Sequence, residues 1–152
     1  DISLSEAPLE NVSVSRFKII VPISSLKILN SIKPSSNLIK EVCETLNSTG
    51  LYPFVKSLDS EIDFYARQFP KDSGYVEDPA TGLAAGALGC YLVKNKLFKK
   101  ICDGIAEIKI GQGQAMGRPS IILASIKVVE DTISKISIKG TAEFLKGTVP
   151  KI

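Results

Sequence analysis

Two adjacent carboxylates stand at the head of the segment with the clearest chemical pattern, residues 77–87, which reads EDPATGLAAGA. Glu77 and Asp78 are candidate catalytic groups, since a carboxyl held close to a substrate can give or take a proton. Thr81 can cap a following helix, and Gly82 lets the chain turn sharply into it. The chemistry indicated is proton transfer next to the start of a helix.

The start of that helix is also a candidate anion-binding site. The first N–H groups of an α-helix have no partner within the helix and lie at the positive end of its dipole, so they bind carboxylate or phosphate. The alternative is that Asp78 and Thr81 only cap the helix, and the motif taken alone favours neither interpretation.

Composition excludes several kinds of chemistry. The chain has 152 residues and contains no histidine, so we exclude histidine-based catalysis and zinc within this chain and expect no metal and no cofactor. Cys43, Cys90 and Cys102 lack CxxC spacing and are interpreted as reduced thiols, two of them among apolar residues. The net charge of +3 comes from scattered basic residues, so no nucleic-acid partner is expected.

The segment LAAGALGCYLV, residues 83–93, has no charged position on any side of a helix. A helix that is apolar all round is buried all round. It is too short to cross a bilayer, which takes about 20 residues, so we expect no membrane insertion and a sheet curved around a central helix. Small residues let that sheet approach closely, although glycine lowers helix propensity by roughly 1 kcal/mol relative to alanine. Tyr91 is assigned to this core.

The flanking segments predict an α+β chain with mostly antiparallel strands. A short helix through Ser31 is predicted with Ser24 and Ser25 as plausible caps, and a second helix is predicted over 37–46 with Ser35 or Ser36 as its cap. Strands are predicted at 16–23, 51–56, 63–69, 105–111, 120–128, 133–138 and 141–146. In the second helix, one apolar face is predicted to pack on the sheet, comprising Leu38, Ile39, Val42, Cys43 and Leu46.

Two further features have a structural and a functional interpretation. The stretch QGQAMGRPS, residues 112–120, is interpreted as a tight turn between strands at Gly113 and Gly117, with Arg118 reaching an anion as the alternative. Arg67 is interpreted as the ion-pair partner of a nearby acid in preference to a substrate ligand.

Length and an apolar content of 44% are typical of one domain, so residues 1–152 are treated as a single domain. The first twelve residues carry acids and lack the apolar run of a secretory signal, so a cytoplasmic location is expected. The first residue is Asp1 and the sole methionine is Met116, so we expect residues upstream of Asp1 in the translated protein.

Four segments together resemble the phenazine-biosynthesis PhzF-like family: SRFKIIVPI, DFYARQF, EDPATG with its alanine-rich helix, and QGQAMGRPS. The likeness extends from about Val14 to GTAEFLKG near the C-terminus. It implies a diaminopimelate-epimerase-like fold with two pseudo-symmetric domains, each a β-barrel-like sheet around a central helix, and an active site between them. The chain resembles the C-terminal domain. The family's N-terminal domain, with its SETAF-like glutamate and GNP-type loop, has no counterpart here.

The resemblance also implies roles for individual residues. Asp78 matches the family's active-site aspartate, and the amides of Gly82 and Leu83, next to Thr81, match those that bind the substrate carboxylate. The family usually has serine where Leu83 stands, so the N–H is kept and a hydroxyl donor is lost, at a cost of roughly 1.5–3 kcal/mol. Glu77 is expected to support the turn more than the chemistry.

The implied activity is isomerisation, a metal- and cofactor-independent proton transfer on a small carboxylate-bearing molecule. In the family's reaction a dihydro-hydroxyanthranilate is isomerised by a glutamate of the first domain, assisted by the aspartate that Asp78 matches. The expected partner is the N-terminal half of the same fold, in the same precursor or as a separate chain, with a homodimer as a minor alternative. The rival hypothesis is a non-catalytic anion-binding or scaffold protein of this fold, which Leu83 favours.

Overall fold

β-branched and aromatic residues between turns form the strands, and these join into one mixed sheet. The computed structural model describes residues 2–3 and 7–142. The strands are β1 (Glu10–Ser13), β2 (Phe17–Pro22), β3 (Gly50–Lys56), β4 (Phe64–Ala66), β5 (Phe69–Pro70), β6 (Ile101–Cys102), β7 (Ile105–Gln112), β8 (Ser120–Val129) and β9 (Thr132–Lys139). Their order is β1-β2-β3-β4-β7-β8-β9, with β5 beside β3 and β6 beside β7.

The pairing of the strands makes the sheet mixed. β2 lies parallel to β3, and β4 lies parallel to β7, whereas β7, β8 and β9 form an antiparallel meander with tight turns. The predicted α+β class with mostly antiparallel strands is confirmed, and the sheet curls into a half-barrel. The predicted last strand, 141–146, lies almost entirely outside the described residues.

One predicted strand is broken in two. The sequence predicts a continuous strand over 63–69, but β4 ends at Ala66 and β5 begins at Phe69. β4 pairs with the end of β3 and with β7, whereas β5 pairs with the start of β3. Arg67 and Gln68 lie at the break, and both are buried.

The two short helices precede β3. Helix α1 (Leu26–Ser31) begins after Ser25, whose hydroxyl accepts a hydrogen bond from the Ile28 N–H at 3.2 Å. Helix α2 (Ser36–Thr45) buries only Ile39 and Cys43. The prediction that five apolar residues of this helix pack on the sheet is therefore wrong for Leu38, Val42 and Leu46, which are 40–62% exposed. Each residue of a helix is rotated by about 100° from the next, so the sheet covers only the side chains on the side of the helix that faces it.

Helix α3 (Gly82–Lys94) is the predicted apolar helix. Every residue from Ala84 to Leu92 is buried, and the helix packs against β8 and β9 as well as β1, β2 and β7. Tyr91 is fully buried, and its hydroxyl donates to the Pro8 carbonyl at 2.6 Å. Within the described part of the chain, no helix is both long and apolar enough to cross a membrane.

The small residues of α3 allow the close approach of β8. A Cβ added at Gly89 would lie 2.9 Å from Ile126 Cδ1 and 3.3 Å from Ala124 Cβ. A Cβ added at Gly86 would meet its neighbours at 3.4 Å or more, which is ordinary van der Waals contact.

We therefore expect Gly89→Ala to lower the free energy of unfolding by about 1–3 kcal/mol, because the added methyl overpacks the helix against β8. Gly86→Ala is the matched control, since it brings the same gain in helix propensity, up to about 1 kcal/mol, without the clash. Urea unfolding of both variants measures the difference. Equal effects at the two positions would show that close packing does not limit residue 89.

Candidate active site

The turn that precedes α3 fixes the carboxylate of Asp78. The Asp78 N–H donates to the Gln68 carbonyl at 3.0 Å, which ties the turn to the break between β4 and β5. The Asp78 Oδ1 atom accepts from the Ala80 N–H at 3.3 Å, and Oδ2 accepts from the Thr81 hydroxyl at 2.6 Å. Thr81 occupies the N-cap position as predicted, but its side chain makes no capping hydrogen bond. Its hydroxyl holds Asp78 instead.

A buried glutamine holds this turn against the sheet. Gln112, at the end of β7, is 0% exposed. Its Nε2 donates to the Asp78 carbonyl at 2.6 Å and to the Thr81 hydroxyl at 3.1 Å. Its Oε1 accepts from the Tyr52 hydroxyl at 2.8 Å and from the Thr81 N–H at 3.3 Å. Burial raises the pKa of Tyr52, and the charge of Asp78 adds to this, so the phenol keeps the proton that it donates.

The glycine-rich turn after β7 supports the same loop. A short 3-10 turn at 114–116 lies between Gly113 and Gly117, whose φ angles of 86° and 66° favour glycine. The prediction of a tight turn at this segment is confirmed. Ser120 lies just beyond it and donates to the Pro79 carbonyl at 2.9 Å. Arg118 is exposed and does not line the cavity beside Asp78, so nothing supports the alternative that it binds an anion there.

The start of α3 opens onto this region. The first turn of the helix is closed by a hydrogen bond from the Ala85 N–H to the Thr81 carbonyl at 3.0 Å. The geometry of an α-helix therefore leaves the N–H groups of Gly82, Leu83 and Ala84 without an acceptor in the helix. The Leu83 side chain is 46% exposed.

A cavity of about 450 Å³ lies in front of the Asp78 turn. Of the predicted site residues, Asp78, Thr81 and Leu83 line it, while Gly82 lies between two of them in the chain and Glu77 does not line it. The other lining residues are Arg16, Lys18, Asn47, Ser48, Thr49, Gln68, Pro70, Lys71, Asp72, Ser73 and Tyr75. Within the described residues, no group of three or more histidine, cysteine or acidic side chains could hold a metal ion.

Three basic residues line the cavity that were not identified from the sequence, namely Arg16, Lys18 and Lys71, and the last of these pairs with Glu44 at 3.6 Å. Lys18 lies in β2, is only 7% exposed, and has its Nζ 3.5 Å from the Thr49 carbonyl oxygen. Burial lowers the pKa of Lys18, and the charge of Asp78 acts in the opposite direction. In the part of the chain that is described, neither Lys18 nor Arg16 forms an ion pair. The one available signal was a lysine within the otherwise apolar run FKIIVPI.

Glu77 faces away from the cavity. Both of its carboxylate oxygens accept from Arg67, whose Nε and Nη2 atoms lie 2.8 and 2.7 Å away, and the two side chains are 7% and 9% exposed. The Arg67 Nη1 atom donates to the carbonyls of Leu29 and Ile32 at the end of α1, both at 2.9 Å. The interpretation of Arg67 as an ion-pair partner is confirmed. The contacts of Glu77 favour support of the turn, and a catalytic role for it stays a prediction.

The arrangement therefore joins three elements that suit a small anion. Asp78 supplies one positioned carboxylate, the start of α3 supplies N–H groups that have no acceptor within the helix, and Lys18 and Arg16 add basic side chains to the cavity lining. An anion bound at the amides would lie close to a group that can give or take a proton.

Comparison with known proteins places these features in a family. The family model described as phenazine biosynthesis-like protein, PhzC-PhzF, matches residues 2–147. An uncharacterized isomerase of Clostridium acetobutylicum is 35% identical over 142 residues, which cover 91% of this chain and 46% of that protein. The trans-2,3-dihydro-3-hydroxyanthranilate isomerase of Pseudomonas chlororaphis is 35% identical over 85 residues, which cover 55% of this chain and 29% of that protein.

The fold is similar to that of solved members. The PhzF-family phenazine biosynthesis protein of Bacillus anthracis matches with a TM-score of 0.81 and 25% identity, over 93% of this chain and 47% of that one. The chain thus spans about half the length of the relatives it matches.

The buried ion pair of Arg67 and Glu77 should contribute to the stability of the fold. We expect Arg67→Met to lower the free energy of unfolding by about 3–5 kcal/mol, because it leaves the Glu77 carboxylate buried without its cation. Adding Glu77→Gln to that variant should recover part of the loss, since the second change removes the uncompensated charge.

Lys40→Met is the control for this prediction. This change breaks the ion pair between Lys40 and Asp72, whose side chains are 50% and 63% exposed, respectively. It should lower the free energy of unfolding by less than about 1 kcal/mol. Urea unfolding of the three variants measures these differences. An Arg67→Met cost no larger than that of Lys40→Met would contradict the role given to the buried pair.

Proposed function

We propose, because the chain belongs to the phenazine biosynthesis-like PhzC-PhzF family, that it forms the C-terminal half of an isomerase that moves a proton on a small carboxylate-bearing molecule. The observation that carries the proposal is the position of Asp78, held in the cavity wall directly before the start of α3, where the first amides have no acceptor within the helix. The relatives are isomerases by name, and one acts on trans-2,3-dihydro-3-hydroxyanthranilate.

In this proposal the substrate carboxylate binds at the N–H groups of Gly82 and Leu83, with the positive end of the helix dipole behind them. Asp78 then lies beside the bound molecule as the group that orients it or transfers its proton. The short bond from the Thr81 hydroxyl to Asp78 holds one carboxylate oxygen in place, so the carboxylate does not have to be ordered when the substrate arrives.

The rest of the site is proposed to come from the N-terminal half of the fold. The relatives are about twice as long as this chain, which leaves room for a second domain of similar size. We assign the main proton-transferring base to that N-terminal half. In the same arrangement, α3 is the central helix of the C-terminal domain, and the cavity before Asp78 is part of the cleft between the two domains. The half could belong to the same precursor or to another chain, and a second copy of this chain is the alternative partner.

A non-catalytic protein that binds a small anion in the same cavity is the second candidate function. Leu83 favours it, because its half-exposed apolar side chain stands where the family usually has a serine hydroxyl. The amide of Leu83 remains able to bind a carboxylate. Binding would then survive while one donor for the charge of a reacting substrate is lost.

The test is solvent deuterium incorporation, followed by NMR in the assembled protein with both halves of the fold. The probes are trans-2,3-dihydro-3-hydroxyanthranilate and simpler cyclic carboxylates. We expect Asp78→Asn to slow exchange at least about 100-fold, because Asn keeps the size of the side chain but cannot carry the proton. Asp72→Asn changes another acid of the same cavity wall and should leave the rate unchanged.

Two results would count against the isomerase. Exchange undiminished by Asp78→Asn would remove the role of that carboxylate. Carboxylate binding without exchange in the unmodified protein would favour the anion-binding alternative.

A further inference from the structure

The side chain of Gln68 is buried in the cavity wall without a hydrogen-bond partner. Gln68 is 1% exposed, and among the residues that the structure describes no group bonds to either its Nε2 or its Oε1 atom. A folded protein rarely leaves a buried donor and a buried acceptor unpaired, because both lose their bonds to water on folding. Such a side chain is a candidate for binding a ligand group.

The position of Gln68 places this amide beside the proposed chemistry. Gln68 and Asp78 are directly opposite each other in a β-bridge, so their side chains leave the backbone on the same face, and both line the same cavity. Residue 68 therefore lies beside Asp78 in the wall of the cavity.

A second buried glutamine shows what a structural role requires in this fold. Gln112 is as deeply buried as Gln68, but both of its Nε2 hydrogens and its Oε1 atom bond to the loop and to Tyr52. Gln112 stabilises the fold through these bonds. Gln68 has none of them, so stability does not account for an amide at position 68.

The backbone next to Gln68 is built to leave room for its amide. A Cβ added at Gly50 would lie 2.5 Å from the Gln68 Nε2 atom and 2.7 Å from the Phe69 carbonyl oxygen. The glycine at the start of β3 therefore keeps the position of the amide open.

We propose that Gln68 is a specificity-determining residue that binds a hydroxyl group of the ligand, which donates to Oε1 and accepts from Nε2. The ligand is then a hydroxycarboxylate, with its carboxylate at the start of α3 and its hydroxyl at Gln68. This inference rests on the proposed function for the carboxylate and adds a second recognition point to it.

A hydroxyl group matches the donor and the acceptor of the Gln68 amide better than a charged group does. A carboxylate would satisfy Nε2 but would set its negative charge against Oε1 and Asp78. An ammonium group would satisfy Oε1 only and would lie in a cavity that the basic side chains of Lys18 and Arg16 already line. A hydroxyl satisfies both amide atoms and adds no charge.

The test compares cyclohexanecarboxylate with its 2-hydroxy and 3-hydroxy derivatives, using calorimetric binding to the complete protein and to its Gln68→Met variant. We expect the unmodified protein to bind the better hydroxy acid about tenfold more tightly than the parent acid. In Gln68→Met that preference should vanish while the affinity for the parent acid stays the same. Gln68→Leu serves as a second apolar variant should methionine pack poorly.

A stability measurement separates recognition from a structural role. Gln68→Met should leave the urea midpoint unchanged or raise it, since it removes two unpaired buried atoms, whereas Gln112→Met should lower it. An equal preference for the hydroxy acid in unmodified and Gln68→Met protein, or no preference in the unmodified protein while the parent acid binds, would overturn the inference. Failure of the parent acid to bind at all would instead contradict the proposed carboxylate site.

Discussion

The buried amide of Gln112 connects the sheet to the loop that carries Asp78. Its hydrogen bonds reach the carbonyl of Asp78, the hydroxyl and N–H of Thr81, and the phenol of Tyr52, so the loop cannot move without breaking several buried bonds at once. In a low-dielectric interior such a network is rigid when every member is satisfied. The placement of the acid, the start of α3 and the cavity in front of them all depend on this constraint.

The packing of α3 supplies the other half of the geometry. Gly89 allows β8 to come close to α3, which also packs against β1, β2, β7 and β9 and begins directly after the Asp78 turn. The same packing that buries the helix also fixes the position of its first turn beside Asp78. A less closely packed helix would leave the amides of that turn without a fixed relation to the carboxylate.

The two acids of the motif have separate environments. Glu77 is buried against Arg67, which also holds the end of α1, so its carboxylate stabilises the region below the turn. Asp78 accepts hydrogen bonds from Ala80 and Thr81 and faces a cavity that contains basic side chains. One carboxylate is used to build the site, and the neighbouring one is available to act in it.

The sequence by itself determined the local features of this protein. An apolar surface on every side predicted the helix that is buried from Ala84 to Leu92, the glycines at 113 and 117 predicted the turn after β7, and the EDPATG motif pointed to Asp78 and the start of the helix as a candidate site. Each of these signals comes from residues that are adjacent or one helical turn apart. Such patterns can be read without a structure because local backbone geometry dictates them.

Tertiary structure decided which of these groups meet. The bonds from Gln112 to Tyr52 and to Thr81 join residues 60 and 31 positions apart, and those from Arg67 to Leu29 span 38. No periodicity in the chain relates such positions, so the sequence could not show that Gln112 is fully bonded and Gln68 is not. The same holds for Lys18, whose place in an apolar strand predicts burial of the strand but not the cavity that its ammonium group lines. Contacts of this kind exist only after distant segments of the chain have joined in the folded sheet.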